Sequence, residues 1–468
     1  MRGRVAVTTN HLATVLASAG PAAPADLLAA RMQMALSLGW HIILACMGVG
    51  MPVLLFVAEW RAVRRGDGVC LTLVRRWARA VGVLFAVGAV SGTILSFEMG
   101  LLWPGLMGTY GQVIGLPFAL EGIAFFIEAI FLGIYLYAWD RLPPAAHLLT
   151  LVPVLLAGVA SAFFVVTANA WMNDPQGFTV EGGRVTVVEP WAAMFNPATP
   201  PQTLHMILAA FMVAGFAVAG VYAVALLRGR RDRYHRLGFL IPFTFAAVVT
   251  PFQVLAGDYA ARYLAARQPT KLAAAEGLFH TGPNAPLHLG GLVIGDQVRY
   301  SVEIPDGLSL LVGGSPDTVV RGLDATPVAD RPPVAVVHLA FDTMVALGVF
   351  LLLLSAWFAL TWWRRRDLPR SPWFLRLAAV SGVAAAVAVE AGWVLTEVGR
   401  QPWVVYGRLR TADAVNPAPG LWVSFAVVCA VYVVLTVATV YALRLLTRDG
   451  PPVAPQEEEA GPAPEGAT

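Results

Sequence analysis

Eight side chains that could bind a metal or carry a proton lie in long apolar runs of this sequence or at their ends. They are His41, Glu98, Glu121, Glu128, His205, His338, Met344 and Glu390. Ionisable groups are costly to bury in lipid, so such residues usually mark a substrate path, a proton relay or a cofactor. Imidazole and thioether groups ligate haem iron, and buried carboxyl groups can hold and pass protons.

The candidate metal ligands are His41 and the pair His205 and Met344. His41 could donate a hydrogen bond to a carbonyl of a neighbouring helix, or it could ligate a metal or haem. His205 and Met344 lie near the ends of apolar runs that flank the longest polar segment. A His–Met axial pair is a known low-spin haem arrangement, although methionine alone is more often core filling.

Glu121 and Glu128 are the candidate proton carriers. They are seven residues apart, so they share one helix face and lie about 10 Å apart along the axis. Glu128 could be a neutral carboxyl bonded to a neighbour, or one step of a proton path. Glu121 lies at the depth of His41 and Glu128 lies deeper in the membrane. A metal site at the level of His41 with a proton relay beneath it is therefore a coherent arrangement.

The composition requires that membrane-spanning elements position these residues. Of the 468 residues, 57% are apolar and 13% are charged. Soluble domains carry about 25% charged residues, so a single water-soluble domain is excluded. No basic stripe interleaved with aromatic residues is present, so no nucleic-acid partner is expected. The three cysteines show no metal-site or cluster spacing.

Nine apolar runs are long enough to cross a bilayer as helices, which takes about 20 residues. They cover 33–58, 80–103, 113–138, 147–171, 202–227, 237–256, 335–362, 374–397 and 420–446. Backbone polar groups must be paired inside lipid and the runs lack period-two alternation, so we predict an all-α integral membrane protein. Arginines cluster after the first, fifth and seventh runs, which predicts an N-terminus outside and a C-terminus in the cytoplasm.

The predicted organisation has five parts. They are an N-terminal extension at 1–30, helices one to six within 31–256, a long external loop at 257–334, helices seven to nine within 335–446, and a disordered cytoplasmic tail at 447–468. Loops as long as the external one are usually functional. Its apolar residues alternate between 302 and 312, which predicts a small β-hairpin.

Seven strings together resemble subunit I of the cytochrome bd-type quinol oxidases. They are GWH at 39–41, FALEGIAFFIEAIFLGIYLYAWDR at 118–141, TANAWM at 167–172, GD at 257–258, TKLAAAEG at 270–277, HLAFDTMVALG at 338–348 and EAGWVLTEVGRQPW at 390–403. They occur in family order over nearly the whole chain, and the TKLAAxEG and GRQP strings are highly specific. The external loop lacks the long insertion of one branch. The chain therefore resembles the short-loop branch, which includes oxidases called cyanide-insensitive.

The resemblance implies a haem set held by four residues. His41 matches the histidine ligand of a high-spin haem, and Glu121 matches the carboxylate that serves the other high-spin haem. Which of these two haems each residue takes stays open. His205 and Met344 match the axial pair of the low-spin b haem. The implied cofactors are two b-type haems, one low-spin and one high-spin, and a third haem that we expect to be haem d.

The resemblance also implies proton-carrying and quinol-binding residues. Glu128 matches an acid of the proton route, and Glu390 matches an acid near the high-spin haems. Lys271, the only lysine, and Glu276 match the pair of the quinol-oxidising loop, and Asp258 lies in the matching GD string. Without the resemblance, the Lys–Glu pair would be interpreted as an exposed charge pair. Six further residues lie in matching strings without an assigned role: Trp139, Asp140, Arg141, Asn169, Arg400 and Gln401.

Two positions depart from the family pattern. The seven-residue separation of Glu121 and Glu128 is one shorter than in the best-known members, which puts the role of Glu128 in question. Asp342 stands where some members carry a cation, so the potential of the adjacent low-spin haem is expected to differ.

The implied activity is that of a terminal oxidase in the bacterial cytoplasmic membrane. Quinol would be oxidised at the outer face, and dioxygen would be reduced to water with cytoplasmic protons. The expected partners are a second large membrane subunit (subunit II), a one-helix small subunit, dioxygen, and ubiquinol or menaquinol, between which the residues do not decide. Two alternatives stay open: a haem-free proton-coupled transporter and a haem-binding paralogue without oxidase activity.

Overall fold

A computed structural model describes residues 24–448 of the protein, apart from Gly183 and Arg370. Within this part, nine helices are long and apolar enough to cross a membrane, one for each predicted run. They are α1 Pro24–Arg65, α2 Gly68–Leu102, α3 Pro104–Tyr137, α5 Leu151–Asn173 with the short α4 Pro144–Leu149 before it, α7 Thr199–Leu227, α8 Arg233–Arg267, α11 Val334–Arg365, α12 Pro372–Val398 and α14 Leu421–Arg448.

The helices extend beyond the apolar runs because capped polar turns begin or end them. Asp67 accepts a hydrogen bond from the backbone N–H of Cys70 at 3.2 Å and caps α2. Asp232 caps α8 in the same way. Because α1 begins at Pro24, the proposed boundary of the extension at residue 30 is wrong for its last seven residues. Residues 1–23 and the predicted tail from 449 onward lie outside the described part.

Short elements connect the spanning helices. The helices are α6 Pro190–Met194, α9 Pro269–Glu276, α10 Gly307–Gly313 and α13 Thr411–Ala414. The strands are β1 Phe178–Glu181, β2 Arg184–Val188, β3 Leu287–Leu289, β4 Leu292–Val293, β5 Val298–Arg299, β6 Val302–Ile304, β7 Trp403–Val405 and β8 Leu409–Arg410. They form four antiparallel pairs, β1–β2, β3–β6, β4–β5 and β7–β8.

The predicted external loop is only partly a loop. Helix α8 continues to Arg267, so the first eleven residues assigned to the loop are helical. Strand β6 confirms the first part of the predicted hairpin, but its partner strand is β3. The other alternating residues, up to Val312, lie in α10. Gly314 caps the C-terminal end of that helix, and its φ of +75° is a left-handed conformation that glycine adopts readily.

Helix α7 lies at the centre of the bundle and packs against α1, α8 and α12. Four phenylalanines from α7, α8 and α12 fill this core and are fully buried: Phe216, Phe239, Phe243 and Phe374. Close approach depends on small residues, because a Cβ at Gly215 would lie 2.8 Å from the Cβ of Ala246. The candidate residues on α7, α11 and α12 are thus carried by neighbouring helices.

Candidate functional site

His41 is held against α2. Its Nδ1 lies 2.8 Å from Ser91 Oγ, and the Ser91 hydroxyl donates to the carbonyl oxygen of Gly88 at 2.9 Å. Since that hydroxyl hydrogen is already used, Nδ1 must carry the hydrogen of the neutral imidazole, which leaves the Nε2 lone pair free. A Cβ at Gly92 would lie 3.1 Å from His41 Cε1, so only glycine leaves this room for the ring. The tautomer is the one that ligates metals through Nε2.

Glu390 of α12 lies against another face of α1 than the one that carries His41. A Cβ at Gly39, two residues before His41, would lie 3.1 Å from Glu390 Oε2. Glu390 Oε1 is buried without a hydrogen-bond partner among the described residues. Since unpaired buried polar atoms are rare, this oxygen is available to a bound group or water.

Glu121 and Glu128 share one face of α3, as predicted, and that face packs on α5. Glu121 accepts a hydrogen bond from Ser161 Oγ at 3.2 Å. Glu128 is 6% exposed, and a Cβ at Gly158 would lie 3.4 Å from its Oε1. The glycine leaves space beside a buried carboxyl group.

His205 and Met344 lie on helices that both pack on or near α12. His205 Nε2 is 3.1 Å from the side-chain nitrogen of Gln253, and its Nδ1 is buried without a partner among the described residues. A Cβ at Gly257 would lie 3.6 Å from His205 Cε1. A Cβ at Gly392 on α12 would lie 3.1 Å from Met344 Sδ. Both side chains therefore rest against glycines of neighbouring helices.

His338 and Glu98 make structural hydrogen bonds. His338 Nδ1 lies 2.7 Å from the carbonyl oxygen of Ala275, which fastens α11 to α9. Glu98 accepts from Gln33 and Ser37, both at 2.9 Å. The hydrogen bond to a carbonyl of a neighbouring helix, which was one interpretation of His41, is thus made by His338.

Lys271 is buried at the start of α9 and is only 2% exposed. Its Nζ donates to Asn173 Oδ1 at 2.5 Å and to the carbonyl oxygen of Thr396 at 3.2 Å. Burial lowers the pKa of Lys271 to about 7; the charge of Arg400 adds to this effect, and that of Glu397 opposes it. The ammonium therefore fastens α9 to α5 and α12.

The expected pairing of Lys271 with Glu276 is wrong. A separation of five residues turns two side chains about 140° apart on a helix, so they point to different sides. Glu276 is 5% exposed, and its Oε2 has no partner among the described residues. Burial, and then the nearby charge of Asp342, raise the pKa of Glu276 to about 8. Asp258 lies apart on α8, exposed, and pairs with Arg262 at 2.7 Å.

Sequence reasoning missed a polar network behind Lys271. Asn173 donates to Asn169 Oδ1 at 3.0 Å, and Asn169 donates to Glu397. Arg400 donates to Glu397 Oε2 at 2.5 Å, while its Nε and Nη1 stay unpartnered among the described residues. Glu397 follows Glu390 by two helical turns, and this repeat of a carboxylate could have marked it.

A cavity of about 440 Å³ opens beside the first turn of α9. Pro269 and Thr270 line one side, and Trp403 and Tyr406 line another. The cavity adjoins the first turn of α9, the helix that carries Lys271. It gives a small molecule room beside that turn.

The helix bundle defines a polytopic membrane protein. Its buried histidines, methionine and carboxylates, which pack against glycines of neighbouring helices, are a donor set that suits haem. The family model for the cytochrome bd terminal oxidase subunit I matches residues 29–451, and the chain belongs to this family. The family is one of quinol oxidase subunits and contains haem, so the predicted resemblance and enzyme class are confirmed.

Two relatives come from Bacillus subtilis (strain 168). One, named "Putative cytochrome bd menaquinol oxidase subunit I", is 38% identical over 91% of this chain and 97% of the relative. The other, a cytochrome bd ubiquinol oxidase subunit 1, is 30% identical over 84% and 86%. A solved bd oxidase structure from Geobacillus thermodenitrificans is 40% identical and covers 90% of this chain and 98% of its own, with a TM-score of 0.84. The predicted fold class is thereby confirmed.

Proposed function

We propose that this chain is the haem-bearing subunit that oxidises quinol at the outer face of the bacterial cytoplasmic membrane and supports the reduction of dioxygen to water. The observation that carries the proposal is a repeated cradle. His41, His205, Met344 and Glu390 each lie against a glycine of a neighbouring helix. An added Cβ would crowd His41, Met344 and Glu390 at 3.1 Å, whereas at 3.6 Å from His205 it would make an ordinary contact. Candidate iron-ligating side chains buried between helices are what a membrane haem protein requires.

His205 and Met344 would hold the low-spin b haem, and His41 and Glu121 would serve two high-spin haems, one of which we expect to be haem d. When bound, haem supplies one-electron redox chemistry and a binding position for dioxygen. The protein holds the His41 ring in one tautomer through Ser91. The two nitrogens of Arg400 that have no partner among the described residues would suit an anionic group such as a propionate.

Quinol would bind beside α9. Glu276 has a buried oxygen without a partner in the described part of the chain and a pKa of about 8, which suits a group that gains and loses a proton in each turnover. Lys271 would hold α9 in place and keep one N–H for the substrate. Asp258 stays a predicted quinol-site residue, with Arg262 as its partner.

Protons for water would come from the cytoplasmic side through Glu128 and Glu121, with Glu390 as an acid near the high-spin haems. Quinol protons would leave on the outer side, so charge separation follows from where protons enter and leave. Subunit II and a one-helix small subunit would complete the complex. Exposed apolar side chains of α3, among them Phe126 and Ile130, offer a surface for lipid or these partners.

Quinol-dependent oxygen uptake by the purified complex tests the proposal. We expect uptake with ubiquinol or menaquinol that stops when His205 is replaced by alanine. Retained haem with no oxygen uptake would instead support a paralogue without oxidase activity.

A further inference from the structure

A buried glutamate, histidine and tyrosine meet at the arginine-rich end of α1, α3 and α4. Glu59 and His147 are each 2% exposed, and Tyr135 is fully buried. His147 Nδ1 lies 2.7 Å from Glu59 Oε1, and the Tyr135 hydroxyl donates to Glu59 Oε2 at 2.7 Å. None of the roles assigned above uses this cluster.

The hydrogen bonds leave a single proton shared by two groups. His147 Nε2 lies 2.9 Å from the carbonyl oxygen of Tyr135, which can only accept, so Nε2 carries a hydrogen. The tyrosine hydroxyl hydrogen is directed to Glu59 Oε2. The contact between Nδ1 and Oε1 therefore holds one proton, either as imidazolium with carboxylate or as imidazole with a carboxyl group. In both forms the pair is neutral.

The cluster continues the row of glutamates on α3. Tyr135 follows Glu128 by seven residues, so the two lie on one face about 10 Å apart along the axis. Gly48 of α1 borders Glu128, since a Cβ there would lie 3.8 Å from Oε1. Glu59 lies eleven residues further along α1. Helices α1 and α3 thus form the surroundings of both Glu128 and the cluster. The cluster lies nearer the end of these helices that is predicted to be cytoplasmic.

A tryptophan and an ion pair cover the cluster on that side. The Trp139 ring centroid lies 4.1 Å from that of His147 and 5.4 Å from that of Tyr135. The Arg75 guanidinium lies 5.3 Å from the Trp139 centroid, and Asp140 lies 3.9 Å from Arg75. Trp139 is therefore the side chain between the shared proton and the arginine-rich surface.

We propose that Glu59 and His147 form the proton-loading pair at the cytoplasmic end of the path to Glu128, which rests on the proposed oxidase function. The pair releases its shared proton toward Glu128, which leaves neutral imidazole beside carboxylate, and then takes one proton from the cytoplasm past Trp139. The layer between is apolar, with Leu132 2% exposed. A transient chain of water molecules has to carry the proton across this layer, which limits leakage between turnovers.

The test replaces Glu59 by glutamine in the complete oxidase complex. Glu59→Gln keeps the size and the hydrogen bonds but cannot hold the shared proton. We expect quinol to reduce the haems at the wild-type rate, while oxygen uptake falls roughly 10- to 100-fold and its solvent deuterium isotope effect rises. Glu59→Asp should recover part of the uptake.

A matched control removes another buried hydrogen bond from the bundle. Tyr222→Phe deletes the oxygen that accepts from Trp77 Nε1 at 3.0 Å and bonds to none of the proposed proton carriers, and uptake should stay within about twofold of wild type.

Three outcomes would overturn the inference. Wild-type oxygen uptake and a wild-type isotope effect in Glu59→Gln would show that the cluster takes no part in proton transfer. Loss of haem in both Glu59 variants would make it structural. If Glu59→Gln fails to assemble, His147→Gln decides, because it removes the other half of the pair, and wild-type uptake with an unchanged isotope effect there excludes the loading role. An inactive wild-type complex would refute the oxidase function itself, which is a different result.

Discussion

Replacing Lys271 by methionine should slow quinol oxidation while the cofactors stay in place. The change removes the Nζ hydrogen bonds to Asn173 and Thr396 and keeps the aliphatic stem that packs against Gly399. Hydrogen bonds from a charged donor contribute about 1.5–3 kcal/mol each. The pKa of about 7 means that Lys271 is only partly charged at neutral pH, so we take the lower end, about 3 kcal/mol in all. Because quinol would be oxidised only while α9 is held in place, the loss lowers the correctly positioned fraction of the protein and slows quinol oxidation by up to roughly 100-fold.

The assay is quinol-dependent oxygen uptake, measured beside the reduced-minus-oxidised spectrum of the same preparation. Arg236→Met is the matched control, because it removes a cation from an exposed pair with Asp367 at 2.5 Å. Exposed pairs contribute about 0–1 kcal/mol, so the control should stay within about fivefold of wild type. Wild-type turnover in Lys271→Met would refute the anchoring role, and loss of haem would show a role in folding instead.

The pH dependence of this effect has a definite sign. Because burial lowers the pKa of Lys271, the ammonium form predominates only below about pH 7. The advantage of wild type over Lys271→Met should therefore shrink as pH rises from 6 to 9. An advantage that grows with pH would contradict the assignment.

Three further predictions concern the haem and quinol sites. His205→Ala or Met344→Leu should remove the low-spin haem signal and quinol oxidation together, and normal turnover in either variant would end that assignment. Glu276 becomes anionic as pH rises through about 8, so quinol oxidation should rise over that interval, and Glu276→Gln should flatten the rise in the pH–rate profile. Gly392→Val should displace Met344 and broaden or shift the low-spin haem band, whereas Gly348→Ala, with open space around it, should leave the spectrum unchanged.

The nine spanning helices could be predicted because lipid imposes one rule on every apolar run: its backbone must be paired internally. The helix ends could not, because polar caps and interfacial arginines extend helices beyond the apolar stretch. Helix α8 passes its predicted end at residue 256 and reaches Arg267. Asp258 consequently lies on a helix rather than in the loop.

The candidate site was predictable residue by residue but not in its pairings. Lys271 and Glu276 were identified, yet the turn of α9 separates them and gives Lys271 the side chain of Asn173 and the carbonyl of Thr396. Partners 98 and 125 positions away in the chain leave no local pattern to detect. The same holds for the contact of Asn169 on α5 with Glu397 on α12, whose two residues are 228 positions apart in the chain.

The most direct test of the central claim is a reduced-minus-oxidised absorbance spectrum of the chain purified with subunit II. We predict b-type bands together with the red band of a chlorin such as haem d. Only b-type bands would keep the oxidase and change the third haem. A well-folded complex without any haem signal would contradict the account and favour a proton-coupled transporter.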